Sequence, residues 1–176
     1  MQLIRFVLIG VISIVFALLS LAVFTSNDYQ VERFVVLKAS TDEILNCLNN
    51  DSMNPSWIPW IPTEAVTNIL NDNGILELHW NYVEGSVSGV QKLIYNEGNR
   101  LEFDVHFTAP NESYSKSIFF IDEVSEGKKL TWIFKGYKPF PKNAMNAFVD
   151  MDKIIGSQLE EGLAKFKTLC SPNGIN

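Results

Sequence analysis

Apolar positions run unbroken from Phe6 to Phe24, as FVLIGVISIVFALLSLAVF, with no charged residue and no proline. That is close to the ~20 residues needed to carry a helix through a ~30 Å hydrocarbon core. The run is apolar on every side, so it does not read as a helix covering a soluble core, which would keep a polar stripe. After Thr25 the pattern changes to short alternating segments. Residues 29–38 (YQVERFVVLK) are β-branched and aromatic and predict a strand. Ser40-Thr41-Asp42-Glu43 supplies a cap and first-turn acids for a short helix over 42–48. The prolines in SMNPSWIPWIP predict a loop up to Pro62. Six strands are then expected, over 65–70, 75–83, 86–96, 101–108, 114–123 and 129–136. Turn sequences separate them, at Asn71-Asp72-Asn73-Gly74, Glu84-Gly85, Glu97-Gly98-Asn99, Ala109-Pro110-Asn111-Glu112 and Ser125-Glu126-Gly127-Lys128. This spacing predicts an antiparallel meander.

Period-two alternation assigns the strand faces. Leu76, Leu78, Trp80 and Tyr82 share one face, with Glu77, His79 and Asn81 opposite. Leu101, Phe103, Val105 and Phe107 oppose Glu102, Asp104 and His106. Leu130, Trp132 and Phe134 oppose Thr131, Ile133 and Lys135. The sheet is thus expected to be greasy on one face and wet on the other. Its cover is expected from residues 142–169, which hold no proline and repeat Ala144, Phe148, Met151, Ile155, Leu159, Leu163 and Phe166 at helical spacing. Gly156 and Gly162 inside that helix predict close packing against the sheet, because glycine otherwise costs ~1 kcal/mol there.

Charge and composition narrow the picture. Of 176 residues with a net charge of −6, the soluble part carries no basic run, which argues against nucleic acid as a partner. Two readings of the N-terminal run compete. A cleaved signal peptide would use the small-x-small site Ser20-Leu21-Ala22; an uncleaved anchor would span residues 1–26. The run exceeds a signal core of ~7–15 residues, and bulky Val23 and Phe24 follow the site, so the anchor is favoured. Arg5 and the amino terminus place the N-terminus in the cytoplasm and the domain outside. Residues 27–170 then form one domain and 171–176 a tail. Cys47 and Cys170 fit either a pair outside the cytoplasm or two free buried thiols.

The element order, strand, short helix, Trp/Pro loop, meander and long helix, resembles the α+β helix-grip fold of the SRPBCC superfamily. This superfamily includes START domains, birch-pollen allergens and polyketide cyclase/dehydrase-like proteins. Three stretches carry the resemblance: residues 29–44, the Asn54-Pro55-Ser56-Trp57-Ile58-Pro59-Trp60 segment, and Pro139-Phe140-Pro141 with 151–156 and 161–167. The last is similar to a bacterial subgroup with an N-terminal membrane helix. Ser157-Gln158-Leu159 and Ile58 depart from that subgroup's pattern. The resemblance implies a curved antiparallel sheet wrapped around a long C-terminal helix, preceded by one transmembrane helix, with a hydrophobic ligand held between sheet and helix.

Trp57, Trp60, Trp80, Tyr82, Phe103, Phe107, Trp132, Phe134, Phe148 and Met151 are the expected ligand-lining residues; a solid aromatic core is the plainer alternative. His79 and His106 fall on the wet face beside acids, and no third ligand completes a metal site. Asp150 and Asp152 diverge on their helix, and Asp152 is expected to cap the cavity mouth or pair with a lysine. No nucleophile elbow, catalytic triad order or phosphate loop is present. No catalytic residue, metal or cofactor is therefore assigned. The expected function is a membrane-tethered, monomeric domain binding a hydrophobic small molecule or lipid. A polyketide cyclase/dehydrase-like enzyme and a protein-interaction module with a filled core are the alternatives.

Overall fold

A computed structural model describes residues 2–49, 55–72, 75–84 and 87–170. Asn54, the expected turn residues Asn73, Gly74 and Gly85, and the tail 171–176 lie outside the described residues. The chain begins with helix α1 (Gln2–Phe24), then strand β1 (Asp28–Leu37), helix α2 (Thr41–Asn49) and a short 3₁₀ turn (Pro55–Trp57). Six strands follow: β2 (Val66–Asp72), β3 (Ile75–Tyr82), β4 (Val87–Glu97), β5 (Arg100–Ala109), β6 (Ser113–Val124) and β7 (Gly127–Tyr137). A second 3₁₀ turn (Lys142–Ala147) leads into helix α3 (Met151–Leu169). The strands form one antiparallel sheet ordered β1-β7-β6-β5-β4-β3-β2. The meander is thus as the turn chemistry predicts, and β1 closes it beside β7.

The alternation rule places the inner face correctly. Leu101, Phe103, Val105, Leu130, Trp132 and Phe134 are all buried. The outer face is less wet than expected: Ile118 and Thr131, which point away from the helix, are also buried. α2 starts with a reciprocal cap in which the Glu43 backbone N–H donates to Ser40 Oγ and the Ser40 N–H to Glu43 Oε2.

The C-terminal helix is shorter than the periodicity predicts. It starts at Met151, with Asp150 as N-cap accepting from the Lys153 N–H at 3.0 Å. Residues 142–147 instead wind as a 3₁₀ turn against the end of α1, where their apolar side chains find a different partner. Both internal glycines of α3 have the expected packing reason. A Cβ at Gly156 would collide with the Arg33 guanidinium, and one at Gly162 would press on the Trp132 ring. Arg33 of β1 forks onto Asp152 at 2.9 and 3.0 Å and reaches Glu160 at 2.6 Å. Asp152 therefore pairs with an arginine rather than a lysine. The two hydrogen-bonded carboxylates hold the guanidinium pKa above its ordinary value, and Arg33 holds Asp152 below its own.

Cys47 of α2 and Cys170 at the end of α3 form a disulfide, with Cα atoms 6.1 Å apart. α1 meets the domain only at its end. Ala22 is buried, and Asn143, 1% exposed, donates from Nδ2 to the carbonyls of Ala22 (2.6 Å) and Thr25 (2.8 Å). The first half of α1 stands free, and the whole helix, Gln2–Phe24, is long and apolar enough to cross a membrane.

Candidate functional site

The loop that proline keeps out of the sheet turns back over the sheet's inner face. Trp57, Ile58 and Ile61 are buried by that turn, and Trp60 is half-buried. Trp57 meets Trp132 edge-on at 5.4 Å, Phe166 of α3 at 4.9 Å and Phe119 at 6.0 Å. Trp60 lies 5.4 Å from Trp132, 5.1 Å from Phe134 and 6.1 Å from Phe107. Trp80 also reaches Phe107, at 5.9 Å. The loop therefore shares with α3 the task of covering the sheet, which sequence periodicity assigns to the helix alone.

Seven of the ten expected lining residues meet in this one cluster: Trp57, Trp60, Trp80, Phe103, Phe107, Trp132 and Phe134. Tyr82 stands outside it at the end of β3, half-buried. Met151 opens α3, and its sulfur accepts from Lys138 Nζ at 3.5 Å. Phe148 is 73% exposed and lies beside α1. Sequence reasoning passed over Phe119 and Gln91. Gln91 was legible, because it shares the inner face of β4 with Gly89 and Leu93 and is the polar member of that set.

Polar atoms give the cluster its chemistry. Trp132 Nε1–H donates to Ser117 Oγ at 2.6 Å. Burial raises the Tyr29 hydroxyl pKa, and its hydrogen bond with Ser115 works against that shift. Among the described residues seven buried side-chain atoms have no protein partner, and three of them lie on the sheet's covered face: Trp60 Nε1, Trp80 Nε1 and Gln91 Oε1. Each such group costs ~1–3 kcal/mol relative to a satisfied one. A small, partly open pocket of ≈60 Å³ lies beside Gln91, Trp57, Ile58, Leu78 and Phe103. This holds a few waters rather than a ligand of ordinary size, which needs ~300–1,000 Å³. In this conformation Trp57 and Trp60 themselves fill the region between sheet and α3.

The outer face carries charge instead. A groove of ≈1010 Å³ crosses it past Glu77, His79, Lys92, Asp104, His106 and Tyr114. His79 pairs with Glu77 at 3.1 Å; His106 pairs with Glu112 at 3.1 Å and stacks on Tyr114 at 4.2 Å. Both histidines are thus on the wet face, as the alternation predicts. Hydrogen bonds from Lys92 and His79 hold Glu77 below the usual carboxylate range, and those from Tyr114 and His106 do the same for Glu112. Among the described residues no three His, Cys, Asp or Glu side chains gather as a metal site.

No protein-family model and no curated protein sequence matches the chain. Solved structures do. The di-domain ARO/CYC StfQ from the steffimycin biosynthetic pathway is similar at 11% identity and TM-score 0.61, over 81% of this chain and 50% of StfQ, so this chain spans half of it. The Zhui aromatase/cyclase from Streptomyces sp. R1128 is similar at 12% identity and TM-score 0.55, over 84% of this chain and 98% of that one. Ara h 8.0201 is similar at 10% identity and TM-score 0.55, over 81% and 97%. At these identities the likeness establishes the fold alone: a curved seven-stranded antiparallel sheet gripping a C-terminal helix, the helix-grip fold.

Proposed function

We propose, starting from a helix-grip domain behind a membrane-length helix, that this chain binds a hydrophobic small molecule or lipid between sheet and α3, with the loop at residues 55–62 as the movable wall. One observation carries this reading: Trp60 Nε1, Trp80 Nε1 and Gln91 Oε1 are buried in an aromatic shell without protein partners. The two indole rings that carry these donors both meet Phe107 edge-on, at 6.1 and 5.9 Å. They suit an acceptor oxygen on an apolar body, as in a fatty acid, an ester or an aromatic ketone. The likeness to two aromatase/cyclases makes a polyketide-like ketone as natural a ligand as a lipid. Binding is favoured over catalysis because the buried polar side chains of the inner face are Gln91, Ser115 and Ser117, none of which exchanges a proton near neutral pH.

Two features support tethering. Buried Asn143 donates to the Ala22 carbonyl in the last turn of α1, a contact that cleavage after Ala22 would remove, and to the Thr25 carbonyl just beyond the helix. The Cys47–Cys170 bond suits an oxidising compartment and hence a domain on the extracytoplasmic side. The filled interior favours a second reading, a protein-interaction module with a solid core.

Native mass spectrometry of the detergent-extracted chain separates the two. The binding reading expects a non-covalent mass on the wild type that falls in Trp80→Phe and Trp60→Phe, which lose only the donor and part of the ring. A wild type that is always bare, and indifferent to both substitutions, contradicts it. The covalent mass also reports whether the first ~22 residues are retained, as an uncleaved anchor requires.

A further inference from the structure

The end of α1 and the turn at Lys142–Ala147 face each other across an apolar groove of ≈340 Å³ that is separate from the aromatic interior. Val15, Leu18 and Leu19 form one wall; Ala144, Met145 and Phe148 form the other. Phe140, Met145 and Phe148 are 53%, 55% and 73% exposed, a concentration of large apolar side chains that water disfavours. The two walls are fixed to one another. Besides the Asn143 cap, Asn146 Nδ2 donates to the Ser26 carbonyl at 3.1 Å, and the Lys138 N–H to the Asn27 carbonyl at 2.8 Å.

We propose that this groove holds one acyl chain of a bilayer phospholipid and that the 142–147 turn sits in the leaflet, with Phe140, Met145 and Phe148 among the chains. This rests on reading α1 as a membrane span. With Phe24 at the interface, Leu19 and Val15 lie roughly 8 and 14 Å deeper at ~1.5 Å per residue, within the ~15 Å half-thickness of the hydrocarbon. The groove is thus continuous with the membrane-crossing surface of α1, at a depth no water-soluble partner reaches. Its six named walls are all apolar, so it accommodates a chain and not a headgroup. Lys142, exposed at the start of the turn, is placed to extend its ammonium to the phosphate layer.

The test uses the full chain in nanodiscs of 1-palmitoyl-2-oleoyl-phosphatidylcholine, released into native mass spectrometry. The wild type keeps one phosphatidylcholine. Leu18→Trp fills the groove from the α1 side and leaves the domain interior untouched; retention falls about ten-fold, the factor expected from losing roughly two buried methylenes. In vesicles of the same lipid brominated on its acyl chains, Phe148→Trp shows quenching beyond that of the four native tryptophans. Equal retention in wild type and Leu18→Trp, or no added quenching in Phe148→Trp, overturns the groove. Lipid that survives Leu18→Trp but is lost in Trp80→Phe belongs between sheet and α3; it overturns the groove while leaving the proposed function standing. Release of the wild type by alkaline extraction sinks the membrane span, and the groove with it.

Discussion

Trp80 and Trp132 are both almost fully buried on the sheet's inner face, yet their indole nitrogens differ. Trp132 donates to Ser117, whereas Trp80 has no protein partner. Replacing either by phenylalanine removes similar volume, so the difference isolates the N–H. In ligand-free protein, Trp132→Phe should cost about 1–3 kcal/mol more than Trp80→Phe, because it also strands the buried Ser117 hydroxyl. Urea unfolding of the two variants checks this; equal losses would mean that the Trp80 donor is satisfied. At this scale much was legible. Alternation alone put Trp80, Phe103, Phe107, Trp132 and Phe134 on one face. Hydrogen-bond satisfaction was not legible, since it depends on which side chains from distant strands meet each nitrogen. Phe148 lies beside α1 for a related reason: spacing alone does not say which surface a side chain meets.

Elements were read well where local chemistry decides them and less well where tertiary partners do. All seven strands fall within two residues of expectation, because glycine and asparagine turns punctuate them. Periodicity carries the C-terminal helix back to 142, nine residues before its actual start at Met151. Nothing in 142–150 forbids a helix, but Asn143 is drawn to the carbonyls of α1 and Asp150 offers a cap. Asp150→Ala should therefore fray the first turn of α3 and lower stability by about 1 kcal/mol. Hydrogen exchange of the 151–154 amides would show it, and unchanged protection would remove Asp150 as the determinant of that start. The Trp/Pro loop was recognised as irregular; that it covers the sheet follows from Trp57 and Trp60 being too apolar to leave in water.

For the whole molecule, the disulfide joins α2 to the chain's last helix across a separation of 123 residues. Closing a loop of that size restricts the unfolded chain, so reduction should lower stability by about 2–5 kcal/mol. Chemical denaturation with and without reductant measures this, and no change would show the bond to be absent in the purified protein. The pairing was open in the sequence because spacing does not report proximity. Several carboxylates, Glu43, Glu77, Glu112, Glu123 and Asp152, sit below their ordinary pKa through hydrogen bonds and ion pairs. Their folded pKa is depressed, so their stabilisation is present above the unfolded value of about 4 and is lost as pH falls through the folded values. Tyr29 is raised, so its contribution is present below about 10 and is lost as pH climbs through its folded value. A melting temperature that is flat near neutrality, and falls below about pH 4 and above about pH 10, is expected from thermal scans across pH.

The proposed function turns on one motion, the closing of the loop at residues 55–62 as a wall on a hydrophobic ligand. Its most direct test is hydrogen–deuterium exchange on the full chain as extracted and again after delipidation. Faster exchange at 55–62 is expected once the ligand is stripped, with the central residues of β3 and β7 protected in both states. Identical exchange at 55–62 before and after stripping, with the mass of a bound molecule demonstrably lost, would contradict it.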